Sequence, residues 1–566
     1  MEPDLRAGLK RNALENAPEG RIPPVRIFRS ASFPLRIAAL LAVLLGAIGC
    51  RRHESPPHVL RLSQLNEPAT LDPQLATLPD EFFVIRSLSE GLVRPAPAGD
   101  PAGTDFLPAA ASSWEVDSSG RQWVFHLNPA ARWSNGDPVT ASDFVATIRR
   151  ALTPSLAAPK AALFFDVKNA TAFYRGQVKD FSPVGAIARD DFTLEIDLEH
   201  PTPHLLALAA SGPWIPVHAA TLQKFGDTRE SAWTRPGNFV GNGPFVLESW
   251  QHQEVIRVAR NPHYHDASRV ELDGIEFRKF DDQNTEERAY RTGQIDVTMT
   301  IPIARLDEYR APERRTQPLA ETRYLAINVT RAPLSDVHVR RALSLAVDRA
   351  ALVTAVLRGG QKPARTFLPP GLAGLAAIPE ASPDDATVRH ARDLETARSL
   401  LAEAGYPGGR GLPALEISTW VNNPVLEAIQ EMWKRDLGVS STIVVREARV
   451  HAAALSSGDF TLGFVPAIPD YNDPSALLDE LKSGAPGNYP HWSNARFDDL
   501  AESAARTGDP ALRSQRFRDA EEILLEDQPV VPLYFNTQTF LVSSRVSGWK
   551  TDPFWTRTYL DLSVSP

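Results

Sequence analysis

One short apolar run decides what the rest of the chain can become. Ile37 to Ile48 follows the basic residues Arg26, Arg29 and Arg36 and closes on Cys50, the only cysteine in 566 residues. A basic flank, a short hydrophobic core and small residues before a cut have the shape of a secretion signal. At a rise of about 1.5 Å per residue, about a dozen residues cover under roughly 20 Å, too little for a hydrocarbon core of about 30 Å. The body that folds therefore begins after this run, with no second cysteine for an internal disulfide. Its stability must come from packing.

The ending Ala47, Ile48, Gly49, Cys50 resembles a bacterial lipoprotein box, in which the cysteine sulfur is acylated and becomes the mature N-terminus. Ala47 stands where leucine is more usual. A buried core cysteine is the alternative, but Arg51 and Arg52 would be poor neighbours for it. Residues 1–50 thus read as an extension plus signal peptide with Cys50 as the lipidation site, and 51–57 as a short charged linker. The first thirty or so residues, with Pro23 and Pro24, are set apart from the fold.

About 510 residues remain; at 43% hydrophobic content they are ample for a core and suggest about three structural units. No second apolar run approaches the length of a membrane span, so the mature chain reads as soluble. A net charge of -9 and a pI near 5.9 argue against nucleic acid as a partner. Forty-eight prolines against 33 glycines favour a mixed α and β protein with many rigid connections over a helical bundle.

The local pattern agrees. Trp123 to Leu127 reads as a strand, and Asn135 to Pro138 as a tight turn. Thr140 with Asp143 marks the start of a helix running through Arg150. A helix is expected over Glu81 to Leu92, and paired strands over Gly243 to Leu247 and Glu254 to Val258. Arg323 to Val329 reads as a strand, Val339 to Val347 as a helical face, Leu394 to Ala404 and Leu512 to Leu525 as amphipathic helices, and Pro529 to Phe535 as a strand crossing back. The class is α/β.

Enzyme signatures are missing: the chain has no Gly-x-Ser-x-Gly elbow, no His-Glu-x-x-His helix and no phosphate loop. His263 and His265, two apart with no third ligand nearby, make a weak metal pair. No metal, cofactor or catalytic group is expected.

The segments Asn66 to Pro68, Leu71 to Pro73, Glu90 to Leu92, Trp123 to Leu127, Trp133 to Phe144, Asn242 to Phe245, Arg260 to Tyr264, Arg291 to Asp296, Asp336 to Leu343 with Asp348 and Arg349, Leu400 to Tyr406, and Asp470 to Pro474 occur in an order that resembles one family. It is that of the extracytoplasmic oligopeptide and dipeptide binding proteins of ABC importers, solute-binding family 5. The resemblance spans about Leu60 to Leu562. It implies a two-lobed, periplasmic-binding-protein-like α/β fold that closes on its ligand by hinge motion. Crossings between lobes are expected near Leu319 and Tyr534 to Thr537. Lobe I would be 58–318, with an inserted subdomain at about 90–184, lobe II 319–536, and 537–566 a return to lobe I.

A peptide offers a positive amino end, a negative carboxyl end and a main chain of donors and acceptors. The resemblance assigns the amino end to the aspartate of the Asp-Tyr-Asn motif, here Asp470, with Tyr471 and Asn472 beside it; Asp470 read alone is equally good turn composition. The departures from the oligopeptide receptors matter too. Phe464 and Ala467 stand where they carry an arginine and a tryptophan, Ala448 and Leu455 where they carry another such pair, and Thr77 where they carry a glutamate; a cysteine pair becomes Ala320 and Ile468. The carboxyl end of the ligand is therefore read differently, with Arg446, Arg449 and His451 as substitutes, or is not a carboxylate. Phe164, Phe165 and Trp433 are aromatic candidates for side-chain pockets, although each suits a plain core.

The expectation is a monomeric, lipid-anchored periplasmic or cell-surface protein whose partners are a peptide and an ABC permease. Alternatives are a non-peptide cargo such as a nickel chelate, haem or a saccharide, and a murein or signal-peptide sensor that delivers nothing.

Overall fold

The computed structural model describes residues 58–97, 105–375, 383–551 and 553–565. Cys50 and the signal and linker segments lie outside them. Among the described residues no helix is long and apolar enough to cross a membrane.

Three sheets organise a two-lobed α/β fold. The first orders Val59–Gln64, Gly274–Lys279, Val255–Arg260 and Phe245–Gln251, with the first pair parallel and the others antiparallel. Its core takes Leu60, Leu62, Phe245, Ile256 and Phe277, and the helix Pro79–Leu88 adds Phe83 and Leu88. That helix ends short of the Leu92 expected from sequence. Ser89 already has extended backbone, and the Glu90 N–H is held by Asn242 Oδ1 at 3.0 Å. Gly243 permits this approach: its N–H donates to Leu88 O at 2.9 Å, where a Cβ would stand 2.5 Å from Ser89 N.

The second sheet, Ala111–Val116, Gln122–Leu127, Thr193–Asp197 and Ala186–Asp190, is antiparallel throughout. Trp123, Phe125 and Leu127 alternate inward, as period-2 patterning requires. The helix Ala141–Leu152 covers them and starts at the expected cap, where Thr140 N–H donates to Asp143 Oδ2 at 2.8 Å. This sheet is completed only by Thr193–Asp197, past the boundary at 184 expected for the insert.

The third sheet orders Lys362–Pro363, Val530–Leu541, Arg314–Ile327, Leu462–Ala467, Leu415–Thr419 and Ser441–Val445. Its last three strands are mutually parallel, so their carboxyl ends open on one edge. Leu325, Ile327, Leu462 and Phe464 pack on one face, and Tyr324, Ala326, Val465 and Ala467 on the other.

The long strands Arg314–Ile327 and Val530–Leu541 are antiparallel partners, with the register breaking between Pro318 and Thr322. At one end they belong to the third sheet. At the other, Val297 bridges both Leu62 of the first sheet and Val542.

Candidate functional site

The strand Leu462–Ala467 ends at the open edge of the third sheet and hands the chain to Asp470, Tyr471, Asn472 and Asp473. The loop is braced from beneath. Asp473 accepts from the Ser475 N–H at 3.0 Å and pairs with Arg513, from the helix Pro510–Asp527, at 2.7 Å. Burial alone would raise Asp473, but the charges of His204 and Arg513 outweigh it and hold the carboxyl below its usual range.

Tyr471 is pinned by stacking on His204, with centroids 5.5 Å apart, and by a 3.1 Å hydrogen bond between its hydroxyl and Ser475 Oγ. Burial holds that phenol un-ionised, well above its ordinary range. Asn472 Oδ1 accepts from the Ala373 N–H at 2.9 Å. His204 continues outward: it lies 3.4 Å from Arg513 and 3.6 Å from Asp166, which also faces His200 at 3.4 Å. The motif loop is thus where the third-sheet region meets the region of the second sheet.

Asp470 makes an ion pair with Lys160, whose ammonium also lies 5.9 Å from the Phe82 ring. Glu480 stands close by. Burial, and then the charge of Asp470, push its carboxyl up to about 7, with Lys160 pulling the other way. Glu480 is nevertheless exposed to solvent. Two carboxylates therefore face one resident ammonium.

Beside this cluster lies a cavity of about 460 Å³. Asp470, Tyr471 and Asn472 form part of its lining, with Trp549, Trp555 and Arg557 on another side. Arg557 lies 4.1 Å from the Phe83 ring and 5.0 Å from that of Trp549.

The other sequence candidates fall elsewhere. Thr77 is exposed, with its N–H donating to Glu81 Oε2 at 2.7 Å, and it does not line the cavity. Phe164 is core and not a pocket wall: it is fully buried and stacked on Trp214 with centroids 4.8 Å apart. Phe165 packs on Tyr174, and Trp433 is buried with its indole N–H on Leu343 O at 2.9 Å. Ala467 is buried in the core between Thr322 and its neighbours, away from the cavity lining.

Of the proposed cationic substitutes, Arg446 is paired with Glu416 at 2.9 Å and Arg449 is exposed. His451 is buried between Ser418 Oγ and Phe464 O, and that burial pushes its ring below the ordinary histidine range. His265 serves Glu90 at 2.6 Å, which also takes the Tyr264 hydroxyl at 2.8 Å. Among the described residues no group of three or more His, Cys, Asp or Glu side chains could hold a metal.

Sequence reading missed Lys160 and Glu480. Lys160 had one signal: it is a single charge inside the run Ala157 to Leu163, where nothing else is polar.

The sequence profile of the bacterial extracellular solute-binding proteins, family 5, matches residues 105–489. The chain belongs to this family. It is 33% identical over 88% of its length to the probable deoxycholate-binding periplasmic protein YgiS of Escherichia coli, 91% of which is covered. To the periplasmic oligopeptide-binding protein OppA of Salmonella typhimurium it is 31% identical, over 86% of this chain and 88% of that one. Among solved structures, the Escherichia coli murein tripeptide binding protein MppA superposes with a TM-score of 0.79 at 30% identity, covering 90% of this chain and 99% of the other. As a member of family 5, the protein is a solute-binding component of the kind that serves ABC importers, and its two-lobed fold is that of its relatives.

Proposed function

We propose that this protein captures peptides by their amino end in the cleft beside Asp470 and delivers them to an ABC permease. The carrying observation is the charge arrangement: Asp470 is paired with Lys160, and a second acid, Glu480, stands near enough for the charge of Asp470 to raise it, so the place favours added positive charge. An arriving ammonium supplies it. A carboxylate arriving at the same place would meet two acids. The names of two relatives, an oligopeptide-binding and a murein tripeptide binding protein, support the same reading.

In this reading the protein is periplasmic, as the names of its relatives suggest, and is held to the membrane through Cys50. The lobes meet at the register break between Pro318 and Thr322, opposite Phe535 to Thr537, and closing there traps the cargo.

The test is mass spectrometry of whatever co-purifies with the mature protein, followed by calorimetry on Asp470→Ala. Mixed peptides should be found. The variant should lose about 2 kcal/mol of binding or more, the low end for removing one partner of a charged pair, because Asp470 is about one-third exposed. Unchanged peptide affinity in that variant would remove the reading.

A second reading has its own observation. The cavity wall formed by Trp549, Trp555 and Arg557 suits an amphipathic anion, the chemistry named for the deoxycholate-binding relative. Titration with deoxycholate separates the two: saturable binding that survives Asp470→Ala favours the steroid acid.

A further inference from the structure

The carboxyl end of a peptide has no cation waiting at Phe464 or Ala467, but the neighbouring strand supplies one. Arg323 lies opposite Pro466 on one side and Tyr534 on the other, in the ladder whose Thr322 faces Ala467. It therefore sits at the edge where the parallel strands end. Ligands of open α/β sheets bind outside that edge.

The setting of the guanidinium is built. It is 5.9 Å from the ring centroids of both Trp420 and Phe464, which stack on each other at 5.5 Å and 22°. Trp420 directly follows the strand Leu415–Thr419, so both rings belong to the same edge. Glu321, two residues back, forms an ion pair with the Nε side of Arg323, and its other oxygen accepts from Asn536 Nδ2 at 3.1 Å. Glu321 is almost fully buried, whereas the Arg323 side chain keeps 20% of its surface exposed. Among the described residues no protein acceptor engages Nη1 or Nη2. An arginine held by Nε, with its outer fork open, presents the geometry that a carboxylate accepts bidentately.

We propose that Arg323 reads the carboxylate at the far end of the cargo, with Glu321 and the Trp420–Phe464 pair fixing its direction. This rests on the peptide reading above.

The experiment offers the mature protein matched pools of random tri- to hexapeptides, one with free carboxyl ends and one amidated, and reads the bound fraction by mass spectrometry. The wild type should enrich the free acids by about tenfold. Arg323→Gln should bring the acid-to-amide ratio to about one while keeping the preference for free over acetylated amino ends, which also shows that the variant is folded. Should the glutamine variant not fold, Arg323→Lys carries the test: it keeps charge and bulk without the fork, and a weakened preference supports the proposal. Full acid preference in whichever variant folds overturns it, as does a wild type that takes acids and amides equally. A wild type that binds neither pool overturns the peptide reading itself, and this inference with it.

Discussion

Lys160 and Asp470, 310 positions apart, form an ion pair that joins the turn before the helix Ala161–Phe164 to the motif loop of the third sheet. Neither partner is deeply buried: Lys160 keeps 20% of its side-chain surface and Asp470 32%. A pair this wet is worth only about 0–1 kcal/mol. It occupies the acid without locking it.

The first prediction follows from that weakness. A cargo ammonium must take over Asp470 from Lys160, so Lys160→Met should tighten peptides with a free amino end, by up to about fivefold. Acetylated peptides, which do not compete for the acid, should be indifferent. Calorimetry of both against the variant checks this. Weaker binding of free-amine peptides would mean that Lys160 contacts the cargo and is not its competitor.

Glu480 adds a pH dependence whose sign is fixed. Its carboxyl is raised to about 7, so near neutrality part of the population is uncharged. A bound ammonium favours the charged form, so binding releases a proton and affinity must rise as pH climbs toward about 7, levelling off above it. It falls again where the peptide's own amine loses its proton, near about 7.7–8.0. Calorimetry on the acid side of about 7 should show the slope in the wild type and its loss in Glu480→Gln. A wild-type affinity that falls over the same window would contradict the charge arrangement.

The contrast between Asp470 and its partners shows what was legible in the sequence. The alternation of Trp123, Phe125 and Leu127, the Thr140 cap and the Asp470 to Pro474 loop are local signals, and each stands in the structure where residues a few positions apart put it. Arg323 carries no such signal, and Lys160 shows only as a lone charge in an apolar run. Arg323 acquires its setting through the pairing of distant strands, and Lys160 through a side-chain contact 310 positions away, neither of which local periodicity encodes. Phe164 and Trp433 erred the other way: an aromatic residue reads the same in one sequence whether it walls a cleft or fills a core.

Phe164 therefore gives a control. Fully buried and stacked on Trp214, it should cost about 3–5 kcal/mol when cut to alanine, because the cavity left behind cannot fully collapse. The thermal midpoint of Phe164→Ala should fall, while the acid-to-amide and amine-to-acetyl preferences of the folded fraction stay as in the wild type. A change in either preference would return Phe164 to the cleft.

Glu521 predicts how stability itself responds to pH. It is buried on the helix Pro510–Asp527, and its Oε1 accepts from the Phe367 and Leu368 N–H groups at 2.8 and 2.7 Å. Those bonds favour the carboxylate, but burial is the larger effect and raises the group from 4.5 to about 7. Between those two values the folded chain holds a proton that the unfolded chain has already released. Its contribution to stability is therefore complete below about 4.5, declines as pH rises toward about 7, and is flat beyond. Glu521→Gln keeps the acceptor oxygen and removes the proton exchange. Urea midpoints taken across this window should decline less steeply in the variant than in the wild type. Parallel curves would show that the Glu521 carboxyl titrates near its ordinary value in spite of its burial, and that its two backbone bonds outweigh the loss of solvent.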